Sequence, residues 1–425
     1  MSRALLRPML PMRALLTLML AWLLAAAQPA RAEPFVPSGQ PAPELSASIV
    51  TFQPGTLYWQ RFGHNALVLR EAASGRAISF NYGIFDFAAP GFFLNFARGH
   101  MTYRVVPNTL DNDLLHYRAE HRWALEQRLN LDPRQVGRLR DFLAWNVQPE
   151  NADYRYDYFL SNCSTRVRDA LDYAMDGQLK PQLEAQASPL SFRKEATRLI
   201  APDALLMAGM DLALGPIADR PITVWQQSFA PLTLMQALRS ATVTDAGGRS
   251  LPLVSHEARL LPGGHGDTPD RAPDLRLQFL LAGITMAAIL LGLARFRAVG
   301  GARAVFVLIT TGIALACGLA GLILVALWAF SAHWAGWRNE NLLLVNPLCL
   351  LLIPALAGYL RLRWRPTLRI RRLALAIAVL ALLSLLVREL PGLRQQNLHW
   401  IYLLLPIHAV IALVFLRAKQ PDEAL

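Results

Sequence analysis

Of the chain's three cysteines, Cys163 alone lies outside an apolar run; it sits in Ser161-Asn162-Cys163-Ser164-Thr165. A thiolate is a strong nucleophile toward carbonyl carbon, and it needs a base to take up the thiol proton. His64, in Phe62-Gly63-His64-Asn65-Ala66, is the leading base, with His100, His116 and His121 as rivals. A third polar group should orient the imidazole. If residues 65–69 and 77–82 pair as a hairpin, Ser79 and Asn81 share one face of its second strand, and Asn81 is preferred. Each residue also has a plainer reading. An isolated cysteine is more often a small core residue, a lone histidine a satisfied structural one, and Asn81 a turn residue before Gly83.

The elements that must position these groups read as mixed α and β. Asn162 is a good N-cap, which puts Cys163 at the start of a helix running to about residue 174 with Val167, Leu171 and Ala174 on one face. Free N–H groups and the positive dipole end at that position favour a thiolate and can hold an oxyanion. Ser74-Gly75 supplies the hairpin turn, 101–106 is a further strand, and 108–121 and 133–145 are helical, the latter opened by Asp132-Pro133. Residues 33–240 are long enough to form a folded domain with its own core. Residues 241–276, rich in Gly, Pro and Asp, read as a linker.

The ends of the chain bear on its location. Arg3, Arg7 and Arg13, an apolar stretch over about 14–27 and Ala30-Arg31-Ala32 have the form of a secretory signal occupying residues 1–32. Five apolar runs follow, near 277–294, 304–330, 342–360, 373–387 and 400–416, each close to the ~20 residues that cross a bilayer. Arginines crowd the loops after the first and third runs, while 331–341 and 388–399 hold only Arg338, Arg388 and Arg394. The positive-inside rule then puts the arginine-rich loops and the 419–425 tail in the cytoplasm and the thiol domain outside. Much of the net charge of +12 belongs to those loops, so nucleic acid is not an expected partner. No metal-ligand spacing or nucleotide-phosphate loop is visible, and no cofactor is expected.

Three motifs in this order, Phe62-Gly63-His64-Asn65-Ala66, Asn81-Tyr82-Gly83-Ile84-Phe85-Asp86 and Ser161-Asn162-Cys163-Ser164-Thr165, resemble the Lnb-type bacterial lipoprotein N-acyltransferases. The resemblance covers nearly the whole chain past the signal. It implies an α+β, circularly permuted papain-like (NlpC/P60-like) exported domain followed by an all-α five-helix transmembrane bundle, in the bacterial inner membrane. It also implies Cys163 as nucleophile and His64 as base. Asn81 takes the third place, where a histidine is common in retinol-type relatives. The expected reaction moves a fatty acyl group from a phospholipid, through a Cys163 thioester, to the amine of a diacylated lipoprotein. Residues 331–347 resemble the polar signature that the family places at the start of its third span. His333, Trp334, Glu340, Asn341 and Asn346 are therefore expected to touch headgroups or the incoming amine, with Trp334 and Trp337 suited to the headgroup belt. The rival expectation is a membrane-anchored papain-like thiol hydrolase acting on envelope peptides. A scaffold with a merely buried Cys163 is the third.

Overall fold

The structure is a computed structural model that describes residues 35, 37–264, 268–390 and 394–418. The expected signal at 1–32 and tail at 419–425 lie outside the described residues.

The N-terminal domain is built on a seven-stranded antiparallel sheet ordered β6-β4-β3-β2-β1-β5-β9. The strands are β1 (Leu45–Phe52), β2 (His64–Glu71), β3 (Ala77–Ile84), β4 (Thr102–Thr109), β5 (Ala124–Leu129), β6 (Asp153–Arg155) and β9 (Val254–Leu261); β7 (Thr242–Thr244) and β8 (Ser250–Pro252) form a separate ribbon. The expected hairpin is β2–β3, with Ala66 opposite Asn81. Side chains alternate across the sheet as a period of two requires. Ile49, Leu67 and Leu69 join one core with Val167, Leu171 and Leu139, beneath the Cys163–Ala174 and Pro133–Asn146 helices. Val50, Phe52, Ala66 and Val68 face the other way, onto Leu110, Leu114 and Tyr117 of the Leu110–Ala119 helix. Both central strands are thus covered on both faces, which explains their near-continuous burial.

Two expectations are corrected. Residues 241–276 are not simply a linker, because Val254–Leu261 adds to the sheet edge beside β5. Its polar, one-side-exposed composition is what an edge strand tolerates, and Gly247-Gly248 marks the turn before it, not the end of the domain. The 108–121 region also begins as strand: β4 runs through Thr109, whose side chain then caps the Leu110–Ala119 helix.

Among the described residues, the second half holds five segments long and apolar enough to cross a membrane: Arg276–Arg295, Gly300–Phe330, Glu340–Gly358, Leu368–Val387 and Leu398–Arg417. The third is broken into 3-10 turns at Glu340–Leu343 and Pro347–Leu352 and a short helix at Ile353–Gly358. Pro347 and Pro354 remove donors and account for the interruption.

The two halves are joined by buried polar contacts around residues 211–219. Asn339 Nδ2 donates to the carbonyls of Leu212 (2.9 Å) and Ala213 (3.0 Å). Gln395 Nε2 donates to Leu214 O at 3.0 Å. Arg193, buried in the first half, bonds Asp219 at 2.8 Å and also reaches Asp211 and the carbonyls of Leu214 and Gly215. Asp211 in turn accepts from His399 (2.6 Å) and Trp400 (2.7 Å) of the last span. Backbones touch here: a Cβ on Gly215 would collide with the carbonyl oxygen of Trp337.

Candidate active site

Asn162 adopts an extended conformation and its Oδ1 accepts from the Ser164 and Thr165 N–H groups at 3.0 and 2.9 Å, so the helix starts at Cys163 as expected. The Asn162 amide also donates to Tyr158 O and Phe229 O, both at 2.9 Å, which fixes the loop before the cysteine. Behind it, Ser164 Oγ bonds Ser228 O at 2.6 Å and receives Asn65 Nδ2 at 3.3 Å. The start of the helix is therefore tied directly to the residue after His64.

Gly83 lets the cysteine approach the sheet. It has φ +93° at an irregularity between β3 and β4, and a Cβ there would lie 3.5 Å from the Cβ of Cys163. The positive φ is a conformation that side-chain-bearing residues rarely adopt. Cys163 is partly buried, and the backbone N–H groups of Asn65, Ser164 and Cys163 itself point at its sulfur. These are donors suited to an oxyanion at the same position.

His64 lies at the start of β2, on the sheet face that carries Asn81. Its Nε2 is 3.0 Å from Asn81 Oδ1. The amide's other end, Nδ2, donates to Asp113 Oδ2 at 2.9 Å. Asp113 also accepts from Ser79 Oγ at 2.5 Å and from Asn108 Nδ2 at 2.6 Å. A carboxylate only accepts, so the Asn81 NH2 must face Asp113 and its oxygen must face the imidazole. His64 Nε2 then carries the hydrogen, and Nδ1 is left as the basic nitrogen. Phe52 and Tyr117 back the ring, with ring centroids 6.0 and 6.4 Å away. Arg122 sits over Tyr117 at 4.5 Å and is held by Glu120 (2.8 Å) and Gln53 O (2.5 Å).

This setting determines the resting protonation. Burial lowers the His64 pKa to about 4; the Asn81 bond opposes that shift and the Arg122 cation adds to it. Burial also pushes the Cys163 thiol up to about 11, outweighing the three N–H donors and Arg122. The helix start was expected to favour the thiolate, and its N–H groups do pull that way, but desolvation wins. At rest the Cys163 thiol and the His64 imidazole are both neutral.

Of the other sequence candidates, His116 and His100 are exposed, and His116 faces Glu120 at 3.5 Å. His121 takes φ +54° at the turn after the Leu110–Ala119 helix. Ser79 is bonded to Asp113. Sequence reading missed Asp113. Its signal was weak: one carboxylate on a helix with polar neighbours, brought to β3 only by packing.

Cys163 opens onto a cavity of about 840 Å³ whose walls come from both halves of the chain. Phe96, Phe159, Met210, Leu327 and Trp334 contribute much of its apolar lining. His333 and Trp334 belong to this wall. His333 Nε2 donates to Phe96 O at 2.8 Å, and Trp334 Nε1 donates to Asp157 Oδ2 at 2.7 Å. Glu340, Asn341 and Asn346 are not in the wall. They were expected at the headgroup level, yet all three are buried. Asn341 ties Leu212 O (3.0 Å) to Asn397 (2.9 Å), while Glu340 and Asn346 have side-chain polar atoms with no partner among the described residues. The junction between the two halves, which the sequence did not reveal, encloses this loop.

Neither a curated protein nor a solved structure matches the chain. Two family models do: the Lnb N-terminal periplasmic domain over residues 40–198, and the Lnb transmembrane domain over 273–420. The first contains His64, Asn81, Asp113 and Cys163, and the second contains all five apolar segments. This chain, a multi-pass membrane protein with a periplasmic domain, therefore belongs to the Lnb family.

Proposed function

We propose that the protein is a thiol-dependent acyltransferase of the bacterial inner membrane, acting on its periplasmic side to mature lipoproteins. The observation that carries this reading is the apolar cavity beginning at Cys163 and extending to Leu327 of a membrane span. Its volume falls within the ~300–1,000 Å³ usual for ligand sites. A long acyl chain fits such walls; a hydrophilic envelope peptide does not. The proposal includes a circularly permuted papain-like arrangement of the thiol domain, supported by a nucleophile at a helix start and a histidine and asparagine on adjacent strands.

In the first half-reaction, Cys163 sulfur attacks the ester carbonyl carbon of a phospholipid while its proton passes to His64 Nδ1. The N–H groups of Asn65, Ser164 and Cys163 are placed to stabilise the oxyanion. The C–O bond breaks, His64 returns the proton to the leaving alkoxide, and lysophospholipid departs from a Cys163 thioester. In the second, the free amine of a diacylglyceryl-cysteine lipoprotein attacks the thioester carbon. His64 removes the amine proton and delivers it to the departing sulfur. An amide forms and the thiol is restored, which is ping-pong covalent catalysis. A second substrate must be able to reach the thioester while the acyl chain occupies the cavity.

The test is intact-mass analysis of the purified protein incubated with phospholipid, with and without neutral hydroxylamine. A hydroxylamine-labile adduct of acyl mass on the wild type, absent from Cys163→Ala, is expected. Adding a diacylglyceryl-cysteine peptide should discharge it to the triacylated product. Lipid consumption without any adduct overturns the covalent route, and release of free fatty acid despite added acceptor identifies the hydrolase instead.

A further inference from the structure

The N-terminal domain carries an exposed aromatic patch made from two distant segments. Trp59 meets Phe87 with ring centroids 5.7 Å apart, Phe87 meets Phe92 at 5.2 Å, and Phe92 meets Phe93 at 5.4 Å. Phe93 is 72% exposed, Leu94 54% and Trp59 44%. A contiguous apolar patch on a folded domain marks an interaction surface. Its height follows from what holds it. The Phe92–Arg98 helix is bonded to the loop directly after the Gly300–Phe330 span: Ala332 N donates to Arg98 O at 2.8 Å, and His333 bonds Phe96 O. Ala332 and His333 lie two and three residues past Phe330, itself 79% exposed at the end of an apolar helix. The patch is thus tied, through the Phe92–Arg98 helix, to the loop that directly follows that span. Aromatic side chains are favoured at this level of a bilayer.

The patch is also continuous with the cavity. Trp59 and Phe96 line it, as does Leu327, one turn before the end of the span. We propose that Trp59, Phe87, Phe93 and Leu94 seat in the outer leaflet and form a lateral entrance through which a lipid acyl chain passes to Cys163. The occupant is the lipid of the surrounding leaflet, because the surface adjoins the apolar exterior of the membrane span. The entrance half of this proposal rests on the acyl-transfer reading; the membrane contact does not.

The test uses the full chain in nanodiscs or vesicles of phosphatidylethanolamine and phosphatidylglycerol. Lipids brominated in the upper acyl chain quench nearby tryptophan, and the difference between wild type and Trp59→Phe isolates Trp59. Quenching of that component is expected. Its absence overturns the proposal, whatever chemistry Cys163 performs. The second arm compares Phe93→Asp/Leu94→Asp with wild type for Cys163 acylation. A fall of about tenfold or more is expected when the donor is vesicle phospholipid. No loss is expected with a water-soluble short-chain ester. Equal rates from vesicles, or equal losses with both donors, overturn the entrance. If Trp59 is quenched but wild type forms no adduct with either donor, the acyl-transfer reading fails and takes the entrance with it.

Discussion

The site's reactivity is set by a few charges and one amide. With burial lowering the His64 pKa to about 4, the imidazole stays unprotonated, and able to act as a base, far below the usual histidine range. The acid limb of Cys163 acylation should therefore fall near pH 4, not near pH 6.5. The thiol, raised to about 11, is protonated at neutral pH. Iodoacetamide labelling of the lipid-free protein should accordingly climb steadily with pH toward that value. A labelling plateau from pH 5 upward would mean a resting thiolate–imidazolium pair and contradict this picture. Asp113 is the less obvious determinant, because it touches neither the thiol nor the imidazole. Without it, the Asn81 amide loses its 2.9 Å anchor and is left with a long 3.4 Å bond to Ser79 Oγ, so it can turn over and let His64 adopt the unproductive tautomer. Asp113→Ala should lower kcat by ~100-fold or more, the scale of lost general-base catalysis, with KM for phospholipid little changed. Asp113→Asn, which retains an acceptor, should be milder. Equal loss in both, or a change in KM alone, would point to a structural role.

At the scale of elements, the position of Cys163 depends on the cap of its helix. Asn162 makes two capping bonds and two more to loop carbonyls. Asn162→Ala should cost about 1–2 kcal/mol of stability, read as a lower unfolding midpoint. It should also loosen the Cys163 N–H cluster, seen as altered alkylation. Asn162→Asp keeps the cap but not the two donated bonds, and should sit between the two. The β2–β3 hairpin has the complementary task. Its alternation puts His64, Ser79 and Asn81 on one face, while the bulge at Gly83 clears space for the cysteine arriving with the helix. The hairpin, the helix start and the alternation were all legible in the sequence, since each is encoded by neighbours within a few residues. The Val254–Leu261 edge strand was not, because its partner β5 lies more than a hundred residues earlier.

For the whole molecule, the decisive feature is the junction around residues 211–219. Arg193 pairs with Asp219 and Asp211 deep in this interface, and Asp211 also receives His399 and Trp400. Removing one partner of a buried ion pair strands the other charges. Arg193→Met should therefore cost about 3–5 kcal/mol. Because the cavity wall spans both halves, it should also weaken acylation from vesicle lipid, even though Arg193 lies away from Cys163. A normal unfolding profile with full activity would show that the two halves hold together without it. The same junction explains why Asn341 serves as a clamp and not as a headgroup ligand: its amide is used on Leu212 O and Asn397.

The sequence by itself determined what short range and composition can encode. That includes the lone thiol at a capped helix start, a hairpin bearing His64 and Asn81, and five segments able to span a bilayer. Capping, alternation and hydrophobic length all act within one element, so residue order suffices to read them. Tertiary structure decided the rest. Only packing brought Asp113 to Asn81, put Arg122 behind Tyr117, and buried the thiol enough for desolvation to overcome the helix terminus. Only docking made residues 331–346 part cavity wall and part clamp. Those outcomes depend on which surfaces exclude water from one another, and no local pattern in the chain carries that information.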